Sequence, residues 1–251
     1  MKNILLIRHG ESRGQTARDN GINRQKDPVL TDCFLSPRGV NQAFNLRQEI
    51  TDMHNQMKFD LVCVSPLTRA IATCVLGLGH LSETCAMMED DETMSEESAS
   101  IPFICHPDLA ETGGRIPENI GRPLKQVKKD IKKNLNHISP SYAAVDSIDF
   151  SLVPSSWPNR SQGYVQYFME WLSQRPEQNI VVVCHHNIIL SLLGYRIDRV
   201  SNCVPIRCVM NDGDVRMLHL ESDFTESTPS KSLNSYSSGC KKKGKNRRGR
   251  R

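Results

Sequence analysis

The chain lacks any apolar run approaching the ~18 residues of a membrane-spanning helix, and the first apolar stretch, in MKNILLIRHG, is too short for a signal peptide. It also lacks a CxxC pair, a histidine cluster at zinc spacing and an internal repeat, which excludes a thioredoxin-like redox motif, a zinc-ribbon-like metal site and a solenoid. Nine cysteines are scattered along it, and only Cys203 and Cys208 lie close together. Reduced, mostly buried thiols in a cytoplasmic protein are the expectation. At 38% hydrophobic and 24% charged over 251 residues, the composition is that of a globular chain able to hold one large core.

Charge is unevenly placed. Of the 32 Lys and Arg, eight fall in Lys241–Arg251, a stretch without an acid. Residues 1–240 therefore set 24 cations against 28 acids, a net −4. The expected organisation is a domain over residues 1–222 and a disordered basic tail over 223–251. Six acids within Glu89–Glu97 mark residues 82–100 as a flexible acidic insertion.

Three aliphatic runs read as buried strands: Ile4–Ile7, Phe59–Val64 and Asn179–Cys184. Each ends abruptly in polar, chemistry-bearing residues. The first runs into Arg8-His9-Gly10-Glu11-Ser12, the second into Ser65-Pro66 with Arg69 close behind, the third into His185-His186-Asn187. A fourth, shorter strand, PFICHPDL, delivers Glu111. Ser36-Pro37 and Ser65-Pro66 both read as an N-cap followed by a first-turn proline, and Val40, Ala43, Phe44, Leu46 and Ile50 give the helix after Pro37 an apolar stripe. Arg13–Phe34 reads as a loop over the site, LKQVKKDIKKNL as a basic amphipathic helix, and residues 137–157 as irregular. YVQYFMEWL is a helix packed on the core, and Asp212-Gly213 a hairpin turn between two late strands.

Strands that alternate with helices favour a parallel sheet with right-handed crossovers, where ligands gather at the carboxyl edge. All four polar sets then meet in one pocket. Arginine offers a planar fork suited to phosphate, and a neutral imidazole beside it can act as a nucleophile. A helix start carrying Arg69 strengthens an anion site.

Five blocks in order give the chain its resemblance to the histidine phosphatase superfamily, in its phosphoglycerate-mutase-like branch. They are RHGES (Arg8–Ser12), DPVLTDCFLSPRGVNQA (Asp27–Ala43), SPLTRAIATC (Ser65–Cys74), PDLAE (Pro107–Glu111) and VVVCHHNII (Val181–Ile189). The resemblance implies an α/β three-layer sandwich with a mostly parallel central sheet flanked by helices. It implies a phosphatase that hydrolyses phosphomonoesters through a phosphohistidine, with no cofactor and no metal. By position, His9 is the nucleophile, Arg8, Arg69 and His185 hold the phosphoryl oxygens, and Glu111 is the proton donor. Ser12 and Gln15 fall beside the phosphate, Gln15 where the family often has asparagine.

This chain departs from the pattern at His186, where the family usually has glycine. It also lacks the N-x-F-T-G-W-type pattern of the glycolytic mutases, which favours a phosphatase. A phosphoglycerate-type mutase and an inactive phosphate-binding member stay open as alternatives. The expected partner is a small phosphorylated substrate. The basic tail fits a contact with nucleic acid or another anionic surface, or a nuclear-import signal.

Overall fold

The computed structural model describes residues 1–23, 26–82, 101–113, 116–157 and 164–218. The acidic insertion beyond Ser82 and the basic tail lie outside the described residues. Seven strands form one sheet: β1 (Lys2–Arg8), β2 (Leu61–Val64), β3 (Phe103–Cys105), β4 (Ile148–Asp149), β5 (Asn179–Cys184), β6 (Ile206–Asn211) and β7 (Asp214–Met217). Their spatial order is β4-β3-β2-β5-β1-β6-β7. The first five are mutually parallel, and the β6–β7 hairpin adds antiparallel to β1.

Side chains of the central strands alternate between two cores, as a pleated sheet buried on both faces requires. Leu5, Ile7, Val62, Val64, Val181 and Val183 pack on one face. Against them lie helices α2 (Pro37–Met57), α3 (Thr68–Leu78) and α4 (Leu124–Leu135), through Leu46, Ile50, Ile71, Val75, Val127 and Ile131. Ile4, Leu6, Leu61, Cys63, Ile180 and Val182 occupy the other face. There α5 (Val165–Ser173) and α6 (His186–Leu192) cover them with Phe168, Leu172, Ile188 and Ile189. The result is the expected three-layer α/β sandwich. All seven described cysteines are free thiols, six of them buried. No helix among the described residues is long and apolar enough to cross a membrane.

The sequence reading needs correction at four places. Arg13–Asp19, expected as loop, is a short helix, α1. It has no apolar stripe, and a capping box holds it: Ser12 Oγ accepts from the Gln15 N–H, while Gln15 Oε1 accepts from the Ser12 N–H. Ser65 is not the cap of α3. The N-cap is Leu67, which offers no side-chain bond, and the Ser65 hydroxyl is engaged elsewhere. Residues 137–157 carry a 3₁₀ turn, Pro140–Val145, and the two-residue edge strand β4. Phe44, expected on the buried stripe of α2, is exposed. The Ser36 cap stands, with Ser36 Oγ accepting from the Gly39 N–H at 3.0 Å.

The β2-β5-β1 order brings three carboxyl ends side by side, with Arg8 opposite Cys184 and Val64 opposite Val183. The chain after β1 then passes directly over the start of α2. A Cβ on Gly10 would stand 2.5 Å from the Gly39 carbonyl oxygen, and one on Gly39 would stand 2.0 Å from that of Glu11. Backbone must move to admit either. Gly39→Ala is therefore expected to destabilise the protein by about 1–3 kcal/mol, read as a lower urea midpoint with an unchanged m-value.

Candidate active site

His9 begins where β1 stops. Its N–H donates to the Cys184 carbonyl at 3.0 Å and its own carbonyl accepts from Asn202 Nδ2 at 2.6 Å, so both sides of the backbone are pinned. Gly10 N–H donates to Thr73 Oγ1 at 2.9 Å, and that hydroxyl donates to the Arg69 carbonyl at 2.8 Å, joining the R-H-G turn to α3.

The His9 tautomer follows from its two partners. Nδ1 lies 2.7 Å from the Gly10 carbonyl, which can only accept, so Nδ1 carries the hydrogen. Arg69 Nε–H points at Nε2 from 3.2 Å, so Nε2 presents a lone pair. Burial, then Arg69 and Arg8, hold the His9 pKa well below its ordinary 6.5. The imidazole is neutral at physiological pH, with one nucleophilic nitrogen.

Arg69 is only 2% exposed and each nitrogen of its guanidinium donates one hydrogen bond. Nη1 donates to the Glu118 carbonyl, Nη2 to Asn119 Oδ1 at 2.9 Å, and Nε to His9. Asn119 is itself oriented by donating from Nδ2 to the Thr112 carbonyl at 2.7 Å. Arg8 donates from Nη1 to the Val200 carbonyl at 2.7 Å, leaving Nε a buried donor without a partner.

Glu111 follows the 3₁₀ turn Pro107–Leu109 and is 7% exposed. Its carboxylate accepts from the Thr112 N–H at 2.8 Å and the Asn187 N–H at 3.4 Å. Burial raises its pKa above the ordinary carboxylate value, against Arg69, the two backbone donors and Arg8. His185 is fully buried, its ring 5.0 Å from that of His9. Its Nε2 meets Ser65 Oγ at 2.7 Å, and its Nδ1 has no partner. Ser65 Oγ also accepts from the Leu67 N–H at 3.3 Å, which fixes the hydroxyl between α3 and the imidazole.

A cavity of about 750 Å³ opens over these groups. Arg8, His9, Ser12, Gln15, Arg69 and Glu111 line it. His185 does not; it stands behind His9, while its neighbour His186 reaches the wall. The Gln15 amide is tied to Asn202 by an Nε2 donation at 3.1 Å, with one amide hydrogen left over. Asn119 and Asn202 take part in the site without any signal in the sequence, since each lies in a loop and acts on a residue distant along the chain. Among the described residues no group of three His, Cys, Asp or Glu side chains gathers as a metal site.

The sequence model of the histidine phosphatase superfamily (branch 1) matches residues 4–201. The chain belongs to that family. A phosphoglycerate mutase-like protein of Arabidopsis thaliana is 26% identical over 214 residues, 77% of this chain and 74% of that protein. A probable phosphatase of Schizosaccharomyces pombe is 32% identical over 82 residues, 33% of this chain and 34% of that protein. Among solved structures, a putative alpha-ribazole-5'-P phosphatase from Escherichia coli aligns with a TM-score of 0.48 at 22% identity, covering 88% of this chain and 96% of that one.

Folded His9 and His185 both resist protonation, whereas the unfolded chain takes up both protons near 6.5. Below that pH the unfolded state binds more protons, so their contribution to stability is present above 6.5 and lost as the pH falls toward the folded values. A histidine-selective ¹⁵N titration is expected to find both imidazoles still neutral at pH 6. A protonated His9 signal at that pH would contradict the assignment.

Proposed function

We propose that this protein is a phosphomonoesterase that needs no cofactor and works through a phosphohistidine on His9. The observation that carries the reading is the His9 imidazole, neutral, fixed in one tautomer, with its lone pair aimed at a buried arginine on the cavity wall. A nucleophile so held needs no base to activate it. Membership of the histidine phosphatase superfamily supports it, as does the S. pombe relative described as a probable phosphatase.

In the first half-reaction, His9 Nε2 attacks phosphorus as the ester P–O bond breaks. Glu111, whose pKa burial raises, gives a proton to the departing alkoxide. In the second half, the Glu111 carboxylate takes a proton from water, the water oxygen attacks phosphorus, and the P–N bond breaks. Inorganic phosphate leaves and His9 is neutral again. Arg69 exchanges its His9 contact for the phosphoryl oxygens. Arg8 Nε–H, buried and without a protein partner, supplies a further donor. The leftover Gln15 amide hydrogen and the Ser12 hydroxyl complete the set. Fixed donors around a charge-spread transition state lower its energy without reorganising water.

The leaving alcohol is expected to contact Arg18, Asp19, Ile116, Glu118 and His186, which also line the cavity. These come from α1, the turn after Gly113 and the start of α6, so selectivity resides there.

The test is hydrolysis of p-nitrophenyl phosphate in EDTA. Turnover is expected in the wild type and lost by at least ~10³-fold in His9→Ala. Glu111→Gln is expected to slow hydrolysis by roughly 10²–10⁴-fold. Turnover of 3-phosphoglycerate with its bisphosphate primer, and none of the aryl ester, would reassign the protein as a mutase. Silence toward both would leave a phosphate-binding protein.

A further inference from the structure

Helix α3 carries Arg69 as its second residue yet has no cap from its own N-terminal neighbours. The cap comes from Asp32, far back in the chain. Asp32 Oδ1 accepts from the Thr68 N–H at 2.8 Å, and Oδ2 accepts from Thr68 Oγ1 at 2.6 Å. The carboxylate is fully buried, and Asp32 has a left-handed backbone, φ 43°. Such a φ is uncommon for a residue other than glycine, though Asp tolerates it better than most.

The backbone of the same residue reaches a second element. Asp32 N–H donates to the Pro117 carbonyl at 3.1 Å. Pro117 opens the 3₁₀ turn Pro117–Asn119, the turn that grips the Arg69 guanidinium through the Glu118 carbonyl and the Asn119 amide. Asp32 is thus bonded both to the helix that carries Arg69 and to the turn that holds its head. Arg122 locks the arrangement from outside. It donates from Nε to Asp32 Oδ2 at 3.4 Å, from Nη2 to Thr68 Oγ1 at 3.1 Å, and from Nη1 to Asp130 of α4 at 2.6 Å. Asp32 does not line the catalytic cavity.

We propose that Asp32 is a positioning residue of the phosphoryl-transfer site, its carboxylate and backbone together setting where Arg69 stands against His9 Nε2. The kinetic part rests on the phosphatase reading; the placement of Arg69 does not. The groups facing the carboxylate are Thr68 and Arg69 of α3, Arg122 and the adjacent Cys33 thiol, with Glu118 acting on that thiol and Asp130 behind Arg122. Burial raises the Asp32 pKa from 3.8 to about 6, against the two Thr68 bonds and the two arginines. Below that pH the carboxyl is neutral, its charge-assisted bonds from Thr68 and Arg122 weaken, and the hold on α3 loosens.

The experiment uses the full chain, wild type and Asp32→Asn, with thermal melts to measure the folded fraction. It reads kcat and KM for p-nitrophenyl phosphate, and the ¹⁵N shift of His9 Nε2, identified by its loss in His9→Ala. Asp32→Asn is expected to lower kcat per folded molecule by roughly ten- to a hundredfold, to move the His9 resonance, and to abolish an acid-side activity change near pH 6. In an Arg69→Lys background the same substitution should cost much less, because the two act through one contact. A lower melting temperature with unchanged kcat and an unmoved His9 resonance would overturn the proposal. If Asp32→Asn does not fold, Thr68→Val, which removes only the hydroxyl partner, is read by the same two criteria. If the wild type hydrolyses nothing, the phosphatase reading fails on that result alone and the His9 resonance decides the role of Asp32.

Discussion

The contact between Arg69 Nε and His9 Nε2, 3.2 Å long and shut away from solvent, is the interaction on which the rest of the site depends. It fixes which imidazole nitrogen is free, and it places a permanent cation where negative charge would arrive. After burial, it is also what holds the His9 pKa down, since a second positive charge beside Arg69 and Arg8 is disfavoured. A lysine could not do the same. Only a planar fork can hold a carbonyl, an amide and an imidazole at once.

Burying such a cation costs several kcal/mol of lost hydration. Among the described residues no carboxylate pairs with the guanidinium to offset this. The partners of Arg69 are the Glu118 carbonyl, the Asn119 amide and the imidazole, and Glu111 acts on it at longer range. A tight ion pair would have neutralised the charge that a phosphoryl group needs. The same logic separates Glu111 from the arginines by just enough for burial to outweigh them. Neutral dipoles thereby set the geometry: the Pro117–Asn119 turn holds Arg69, and the Thr112 and Asn187 N–H groups hold Glu111.

Much of this was legible in the chain because it is local. Runs such as Ile4–Ile7 and Asn179–Cys184 declare themselves as strands, and LKQVKKDIKKNL as a helix with one apolar face. Arg8, His9, Arg69, Glu111 and His185 could be singled out because each stands at the end of such a run or just after it. The failures have one cause. Ser36-Pro37 and Ser65-Pro66 look alike, yet Ser36 caps its helix while Ser65 turns to His185, 120 residues away. Asp32, Asn119 and Asn202 are ordinary loop residues until the fold brings them to α3, Arg69 and His9. Helix α1 has no periodicity to detect, only two reciprocal caps. Which of two adjacent histidines meets the cavity is likewise a matter of how α6 is set, and there it is His186 that does.

The position of β5 has a consequence for how the chain comes into being. β1 pairs in parallel only with β5, Asn3 against Asn179, and β2 shares that same strand on its other side. During synthesis the first strand waits for most of the domain to be made before its parallel neighbour exists. Pairings so distant in sequence make folding slow and leave apolar strands uncovered meanwhile. His9, Arg69 and His185 therefore come together only when β5 slots in. An assembled site should be the last thing a nascent chain acquires.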